Sequence, residues 1–269
     1  MRSVKKDRLI YLVLLITAII FFWGIENSFW PTNSKAVVGE VGSTIPSYIL
    51  PTSTTNTQIF HTYYGLSYNE TEEQAEWVVY GLKRSQLTSD DRKRPYFIED
   101  PKIATHSADW RNYKNSGYDR GHLCPAGDRR FSELAYNETF YTSNISPMKR
   151  DFNAGVWNRL EMQVRQWARN YDSLYVITGG VLKKGLPSIG YESVGVPDTF
   201  YKIIVRGAPG DLETIAFLIP HQETDRSLSE FEVSIDLIEE KTGIDFFYSL
   251  ADEEEVLIES GINQSGWRY

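Results

Sequence analysis

The residues from Asp151 to Tyr171 constrain the fold of this chain more than any other stretch. Large apolar and aromatic side chains recur there at spacings of four, four, three and four residues. They are Val156, Leu160, Val164, Trp167 and Tyr171. At about 3.6 residues per turn, this spacing places them on one face of an α-helix. Because one apolar face needs a partner surface, the pattern predicts a helix packed on a larger core.

Three other segments are typical of buried β-strands. They are rich in β-branched and aromatic residues and end at glycine or proline. These segments are SLYVITGGVL at 173–182, TFYKIIVRG at 199–207 and ETIAFLIP at 213–220. Helical spacing predicts two more helices, one over 72–82 and one within 233–247 that ends at Gly243. Since strands and helices are mixed without a regular alternation, the sequence predicts an α+β domain.

The N-terminal residues have the pattern of a membrane anchor. Four basic residues precede the 17 residues 9–25, whose only polar side chain is that of Thr17. This pattern predicts a basic cytoplasmic tail over 1–8 and a transmembrane helix over 9–25. No convincing small-x-small cleavage site follows, which favours an anchor over a signal segment that is removed on secretion.

The rest of the chain is then predicted to lie outside a bacterial-type inner membrane. Residues 26–56 are rich in Ser, Thr, Pro and Gly, and we interpret them as a flexible linker. Residues 57–269 are predicted to form one folded domain. A single cysteine, Cys124, excludes an intrachain disulfide.

Charge is distributed unevenly along the chain. The net charge of −8 argues against a nucleic-acid partner when it is taken alone. Residues 83–169, however, contain 16 Lys and Arg against 11 Asp and Glu, whereas residues 211–269 contain 3 against 15. The middle of the chain is therefore basic and its C-terminal part is acidic.

The stretch SGYDRGHLCPAGD, residues 116–128, has the composition of a functional site. His122 suits general base catalysis near neutral pH, and the planar guanidinium of Arg120 suits a phosphate. A zinc site at His122 and Cys124 is disfavoured, because one cysteine and four histidines do not supply the usual ligand set. A serine or cysteine hydrolase lacks the expected nucleophile motif.

One edge of the predicted helix over 151–171 is unusually polar. Asn153, Trp157, Glu161 and Arg165 follow one another at intervals of four residues. The residues alone leave two interpretations open. Glu161 and Arg165 form an ordinary ion pair along the helix, or the row belongs to a site.

The segment YDRGHLCPAGD, 118–128, resembles the DRGH signature of the DNA/RNA non-specific endonucleases. Further similar segments follow in family order over roughly residues 60–250, among them YTSNISPM at 141–148 and FNAGVWNRLE at 152–161. The resemblance implies a mixed, mainly antiparallel sheet flanked by helices, with a ββα-metal finger as the active site. It also implies cleavage of DNA and RNA with little sequence specificity. Cys124 departs from the family, which usually has a small alanine at that position.

The resemblance also implies roles for individual residues. His122 matches the general base, and Asn153 matches the ligand of a single Mg²⁺, with Mn²⁺ or another divalent cation as alternatives. Glu161 matches the carboxylate that holds metal-bound water, and Asn144 the asparagine that holds the site together. Arg120 matches a contact to the phosphate or transition state.

Further predictions concern contacts with the substrate and other partners. The same resemblance matches Arg165 to a contact with the phosphate or transition state. Arg94, in the basic run 92–94, is expected to guide the nucleic-acid backbone, with a solvated charged face as the alternative. Asp119 is expected to order the water shell or to anchor its loop. A homodimer is left open. The competing hypothesis is a nuclease-fold module without catalysis that binds nucleic acid or a protein partner.

Overall fold

The computed structural model describes Leu14, Leu15, Thr17, residues 45–262 and residues 266–269. The chain divides into two units, 1–39 and 40–269. In the part of the chain that is described, no helix is long and apolar enough to cross a membrane. This finding corrects the prediction of an N-terminal transmembrane helix over 9–25. Apart from the three residues named above, that segment lies outside the described residues, as do residues 1–8 and 26–44.

The second unit is built on strands and short helices. The strands are β1 (Gln58–Phe60), β2 (Gly65–Asn69), β3 (Gln74–Lys83), β4 (Asp119–His122), β5 (Ile145–Met148), β6 (Ser173–Gly180), β7 (Ser188–Ile189), β8 (Val194–Gly195), β9 (Thr199–Arg206), β10 (Glu213–Pro220) and β11 (Glu232–Val233). The helices are α1 (Glu133–Glu138), α2 (Arg150–Phe152), α3 (Asn158–Tyr171), α4 (Ile235–Thr242) and α5 (Asp252–Glu259). A π-helical segment, Asn153–Trp157, joins α2 to α3.

Seven strands form one antiparallel sheet in the order β1-β2-β3-β6-β9-β10-β11. This sheet confirms the predicted strands at β6, β9 and β10 and the mixed α+β fold. The predicted helix over 233–247 is also confirmed, since α4 is capped at its C-terminus by Gly243 with a left-handed φ of 70°.

The helix predicted over 72–82 is wrong, because these residues form most of β3. Four consecutive residues, Trp77 to Tyr80, are at most 1% exposed. A strand buried on both faces has an unbroken apolar run, and periodicity alone does not distinguish such a run from a buried helix.

Helices cover both faces of the sheet. On one face, Val78 and Val176 lie in a cluster with Leu160, Val164 and Trp167 of α3. On the other face, the alternate strand positions, such as Val79 and Ile177, pack with residues of α4 and α5 and with Ile45 and Ile49. The apolar face predicted for the helix ending at Tyr171 is thus confirmed.

A separate two-stranded ribbon carries the DRGH motif. β4 pairs antiparallel with β5, with Gly121 opposite Ser146 and His122 opposite Ile145. A Cβ atom on Gly121 would lie 2.2 Å from the sulfur of Met148, so the close approach of the two strands requires glycine at that position. Because α2 begins just after β5, the chain forms the predicted ββα arrangement.

Candidate active site

The β4 cavity, as we call it, is a polar cleft of about 620 Å³ beside the ββα unit. Asp119, Arg120 and His122 of β4 line it; Arg120 and His122 are alternate residues of the strand, and Asp119 reaches the cleft from the beginning of β4. Arg94 and Asn153 also line the cleft, from distant parts of the chain. The fold therefore brings five of the residues considered in the sequence analysis to one cleft.

His122 is held as a neutral imidazole. Its ring lies against two phenyl rings, with centroids 5.6 Å from Phe97 and 5.0 Å from Phe140. Its Nε2 atom is buried without a hydrogen-bond partner in the described structure. Burial, with a smaller contribution from the positive charge of Arg94, lowers the pKa of His122 to about 3. A neutral imidazole can accept a proton at neutral pH.

Asn153 begins the π-helical segment and faces Asp119. Its side-chain nitrogen donates a hydrogen bond of 3.5 Å to the Asp119 Oδ2 atom. With the nitrogen turned to the carboxylate, the amide oxygen is available as a ligand. Amide and carboxylate oxygens together are a donor set that fits Mg²⁺ or another hard divalent cation.

Arg120 and Arg94 are supported by aromatic rings. The guanidinium carbon of Arg120 lies 4.8 Å from the centroid of Phe97, and that of Arg94 lies 5.4 Å from the same centroid. Both arginines, with Trp110, also line a neighbouring cavity of about 700 Å³. Stacking on a ring leaves the edge of a guanidinium free to donate to an anion.

Asn144 lies behind the cleft and is fully buried. Its side-chain oxygen accepts the Cys124 N–H at 2.8 Å, and its nitrogen donates to the carbonyls of Cys124 and Thr139 at 3.0 and 2.9 Å. These bonds tie the segment after β4 to the segment before β5. Burial raises the pKa of the Cys124 thiol to about 11, so it is a small apolar side chain in this fold.

Glu161 and Arg165 are not among the residues that line the β4 cavity. The Arg165 Nε atom lies 2.5 Å from Asp128, and its Nη2 lies 3.2 Å from Glu161. The helical ion pair that the sequence left open is therefore present. Burial raises the pKa of Glu161 to about 7 and lowers that of the neighbouring Lys202 to about 8.

The predicted polar row does not continue as one edge of the helix. Trp157 is fully buried and packs on Phe152 and Phe200, with ring centroids 5.6 Å apart in both pairs. The row begins in the π-helical segment, where spacing differs from that of a regular α-helix. Asn153 therefore reaches the cleft while Trp157 faces the core.

Two residues near the cleft were missed by sequence reasoning. His221 accepts the Lys149 N–H at 2.6 Å through Nε2, and its Nδ1 donates to the Pro197 carbonyl at 2.7 Å. Glu223 accepts the Val156 N–H at 3.1 Å. Both residues follow β10 and meet the helical segment far from their own place in the chain, so no local pattern marks them.

A family model described as DNA/RNA non-specific endonuclease matches residues 41–253. Mitochondrial nuclease EXOG of Danio rerio is 31% identical over 252 residues, covering 87% of this chain and 71% of the relative. The human nuclease EXOG is 36% identical, covering 70% of this chain and 56% of that relative. Human mitochondrial endonuclease G is 34% identical, covering 68% of this chain and 67% of the relative.

A solved structure supports the same relationship. The crystal structure of the EndoG/EndoGI complex matches with a TM-score of 0.70 and 30% identity. The match covers 78% of this chain and 92% of the chain in that structure.

These findings correct the predicted location in a bacterial inner membrane. The relatives named above are mitochondrial nucleases, and the described helices include none that could span a bilayer. The prediction depended on the apolar run over 9–25, which is not evidence of location when it is taken alone.

The relationship also agrees with the local structure. The DRGH residues lie on β4, the following strand and helix complete the ββα unit, and the family match includes all of them. The chain therefore belongs to the DNA/RNA non-specific endonuclease family, a family of nuclease hydrolases.

Proposed function

We propose that this chain is a metal-dependent endonuclease that hydrolyses phosphodiester bonds of DNA and RNA. The observation that carries the proposal is the convergence of a neutral His122 and the Asn153 amide on the β4 cavity. Phosphodiester hydrolysis needs a proton acceptor, oxygen ligands for a divalent cation and a positive side chain beside the phosphate. His122, the Asn153 amide and Arg120 supply these groups at the cleft.

His122 acts as the general base in this proposal. Its imidazole accepts a proton from the water that attacks phosphorus, and the bond from phosphorus to the leaving oxygen breaks. The phenyl rings of Phe97 and Phe140 keep the imidazole neutral, since they exclude the water that would stabilise its charged form.

Asn153 would hold a single divalent cation, with Mg²⁺ as the first candidate, and Asp119 would orient the amide and order the surrounding water. When bound, the cation supplies positive charge to the phosphate. Asp119 is itself within 3.8 Å of Arg150, which anchors its carboxylate at the start of α2.

The other predicted residues support the substrate or the scaffold. Arg120 contacts the scissile phosphate, Arg94 guides the strand at the mouth of the cleft, and Asn144 keeps the segment around β4 in place. The roles proposed for Glu161, in the water shell, and for Arg165, in substrate contact, rest on the family resemblance.

Little sequence specificity is expected from this set of side chains. The groups at the cleft are suited to phosphates, which carry no sequence information. The proposed nuclease domain is residues 57–269, and a homodimer stays a prediction.

The proposal is tested by incubating the purified protein with supercoiled plasmid DNA and with single-stranded RNA, with Mg²⁺ or with EDTA. We expect nicking and RNA cleavage only with the metal, at ends of varied sequence. Retention of nucleic acid without any cleavage would contradict the proposal and favour the inactive binding module. The H122A variant controls for a contaminating nuclease.

A further inference from the structure

The chain after β10 meets the helical segment that carries Asn153. We call residues 221–226 the brace loop. His221 of this loop binds the Lys149 N–H, four residues before Asn153. Glu223 binds the Val156 N–H, three residues after Asn153. The proposed metal ligand is therefore bracketed by two contacts from one loop.

A third contact holds the far end of the brace loop. The guanidinium of Arg159 donates to the carbonyls of Thr224 and Arg226, at 2.5 and 3.1 Å. The loop and the helical segment are thus linked at their beginning, middle and end.

The middle contact occurs where the helix is irregular. Gly155 has φ −97° and ψ −110°, outside the helical region. In a regular α-helix the Val156 N–H would donate to the carbonyl four residues earlier, whereas here it donates to the Glu223 carboxylate at 3.1 Å. Glu223 therefore supplies a side-chain acceptor at the irregular turn that follows Asn153.

The absence of a side chain at Gly155 makes room for this carboxylate. A Cβ atom at that position would lie 1.8 Å from Oε2 and 2.3 Å from Cδ of Glu223. Since Glu223 is exposed, its carboxylate could move into solvent to avoid the clash. Alanine at position 155 would thus displace the carboxylate from the Val156 N–H.

We propose that the brace loop sets the position of Asn153 and that Glu223, seated against Gly155, is a positioning residue for metal binding. This inference rests on the proposed function, in which Asn153 is the direct protein ligand. Residues that orient a metal ligand typically change metal affinity or activity by about 10-fold to 100-fold when they are replaced.

The packing of the helix does not explain the contact. α3 is held on the sheet by Leu160, Val164 and Trp167, which are buried in the main core cluster. Glu223 contributes no apolar area to that core and lies at the surface. Its removal is therefore expected to alter the irregular turn and leave the fold intact.

The test compares four variants of the full chain with the wild type: E223A, E223Q, G155A and the double variant G155A/E223A. Mn²⁺ affinity is measured by electron paramagnetic resonance without nucleic acid, and the exchange of the Val156 amide is measured by NMR in metal-free protein. Plasmid cleavage against Mg²⁺ concentration gives the third readout.

We expect E223A and G155A to weaken Mn²⁺ binding by about 10-fold or more and to speed exchange at Val156. The double variant should equal E223A, because both changes remove one contact and their effects are not additive. E223Q keeps a hydrogen-bond acceptor and should stay close to the wild type. In cleavage, the loss should be partly relieved by added Mg²⁺.

Two controls match the variants in chemistry. Glu254 is a half-buried carboxylate that also accepts a backbone N–H, that of Gly210 at 2.6 Å, so E254A should leave Mn²⁺ binding unchanged. A Cβ on Gly81 would have its nearest neighbour 3.5 Å away, so G81A should be tolerated.

The outcomes separate this inference from the proposed function. If the wild type binds Mn²⁺ and cleaves DNA but E223A and G155A match it in metal affinity, the positioning role is overturned and the function stands. If the wild type neither binds Mn²⁺ nor cleaves, the proposed function is wrong and the inference is wrong with it.

Discussion

His122 combines the features of a general base in one side chain. Its ring is packed between Phe97 and Phe140, and its position opposite Ile145 in the ribbon is determined by the backbone. Replacing it with alanine should remove about 10²-fold to 10⁴-fold of the hydrolysis rate, the usual contribution of a positioned base. Because His122 is not the proposed metal ligand, Mn²⁺ affinity and DNA binding should change little.

Asn153→Ala serves as the contrasting variant in this experiment. It should weaken metal binding, and excess Mg²⁺ should restore part of its activity. The measurement is the initial rate against Mg²⁺ concentration. Near-normal turnover of H122A at saturating Mg²⁺ would show that His122 is structural.

The environment of His122 also predicts the acid limit of activity. An ordinary histidine, with a pKa of about 6.5, would lose most of its neutral form by about pH 5.5. Burial and Arg94 lower the pKa of His122 to about 3, so the base stays neutral as the pH falls through 6.5. Glu161 has a pKa of about 7 and would titrate in the same range, so the comparison is made in E161Q, where we expect kcat at pH 5.5 to stay within about twofold of its value at pH 7.5.

Arg94 gives this pH prediction a matched pair of variants. R94A removes a positive charge that disfavours imidazolium, so the acid limit of kcat should move to higher pH. K93A removes a neighbouring charge and should leave the limit in place. An acid limit at an ordinary histidine pKa in E161Q, which lacks the Glu161 carboxylate, would contradict the low pKa assigned to His122.

The helix α3 depends on a buried charge cluster as well as on its apolar face. Asp128 is 1% exposed and pairs with Arg165, which in turn pairs with Glu161. D128A removes one of the two acidic partners of Arg165 and leaves Glu161, whose pKa is raised to about 7 by burial, as the other. It also removes the acceptor of the buried Tyr80 hydroxyl. D128A should therefore lower the free energy of unfolding by about 3 kcal/mol.

Urea denaturation at neutral pH measures this loss. The control is R84A, which removes one partner of a pair whose side chains are 54% and 78% exposed, and which should cost less than about 1 kcal/mol. Equal stabilities of D128A and R84A would mean that the cluster contributes little to holding α3.

The elements of this fold differ in how far local sequence predicts them. The one-sided apolar pattern of α3 predicts a helix. The short β-branched and aromatic runs of β6, β9 and β10, which end near glycine or proline, predict strands. β3 is buried on both faces, so its sequence does not show the alternation of apolar and polar residues that is typical of a strand. The turn at Gly155 is held by Glu223, which is 67 residues from Val156 in the chain. No nearby sequence pattern predicts this contact.

In the candidate site, too, some contacts follow from local sequence and others depend on residues far apart in the chain. His122, Arg120 and Asp119 share one short strand, so their proximity followed from the motif. The pairing of Arg165 with Asp128 spans 37 residues, and no local pattern indicates it. The four-residue spacing of the polar row assumes a regular α-helix, whereas the π-helical segment brings Asn153 to the cleft and Trp157 to the core.

At the scale of the whole molecule, charge separation reconciles a net charge of −8 with a polyanionic substrate. Residues 83–169 contain the excess of basic side chains and also supply all the protein groups named at the β4 cavity. The acidic residues of 211–269 include those on α4 and α5, which lie on the opposite face of the sheet from α3. Nucleic acid is therefore expected to approach through the basic middle of the chain.

This arrangement predicts a steep dependence of DNA binding on salt. Each phosphate that a basic side chain neutralises releases counterions, so the slope of log affinity against log salt counts such contacts. Affinity is measured with the H122A variant, which should bind without rapid cleavage, over a series of NaCl concentrations.

Adding K93A to that background should reduce the slope by about 1 if Lys93, beside Arg94 at the neighbouring cavity, contacts a phosphate. Adding K184A, an exposed lysine that lines neither cavity, should leave the slope unchanged. Binding that ignores salt would mean that the basic middle does not meet the backbone, and equal slopes for the two lysine variants would place the substrate path away from Lys93.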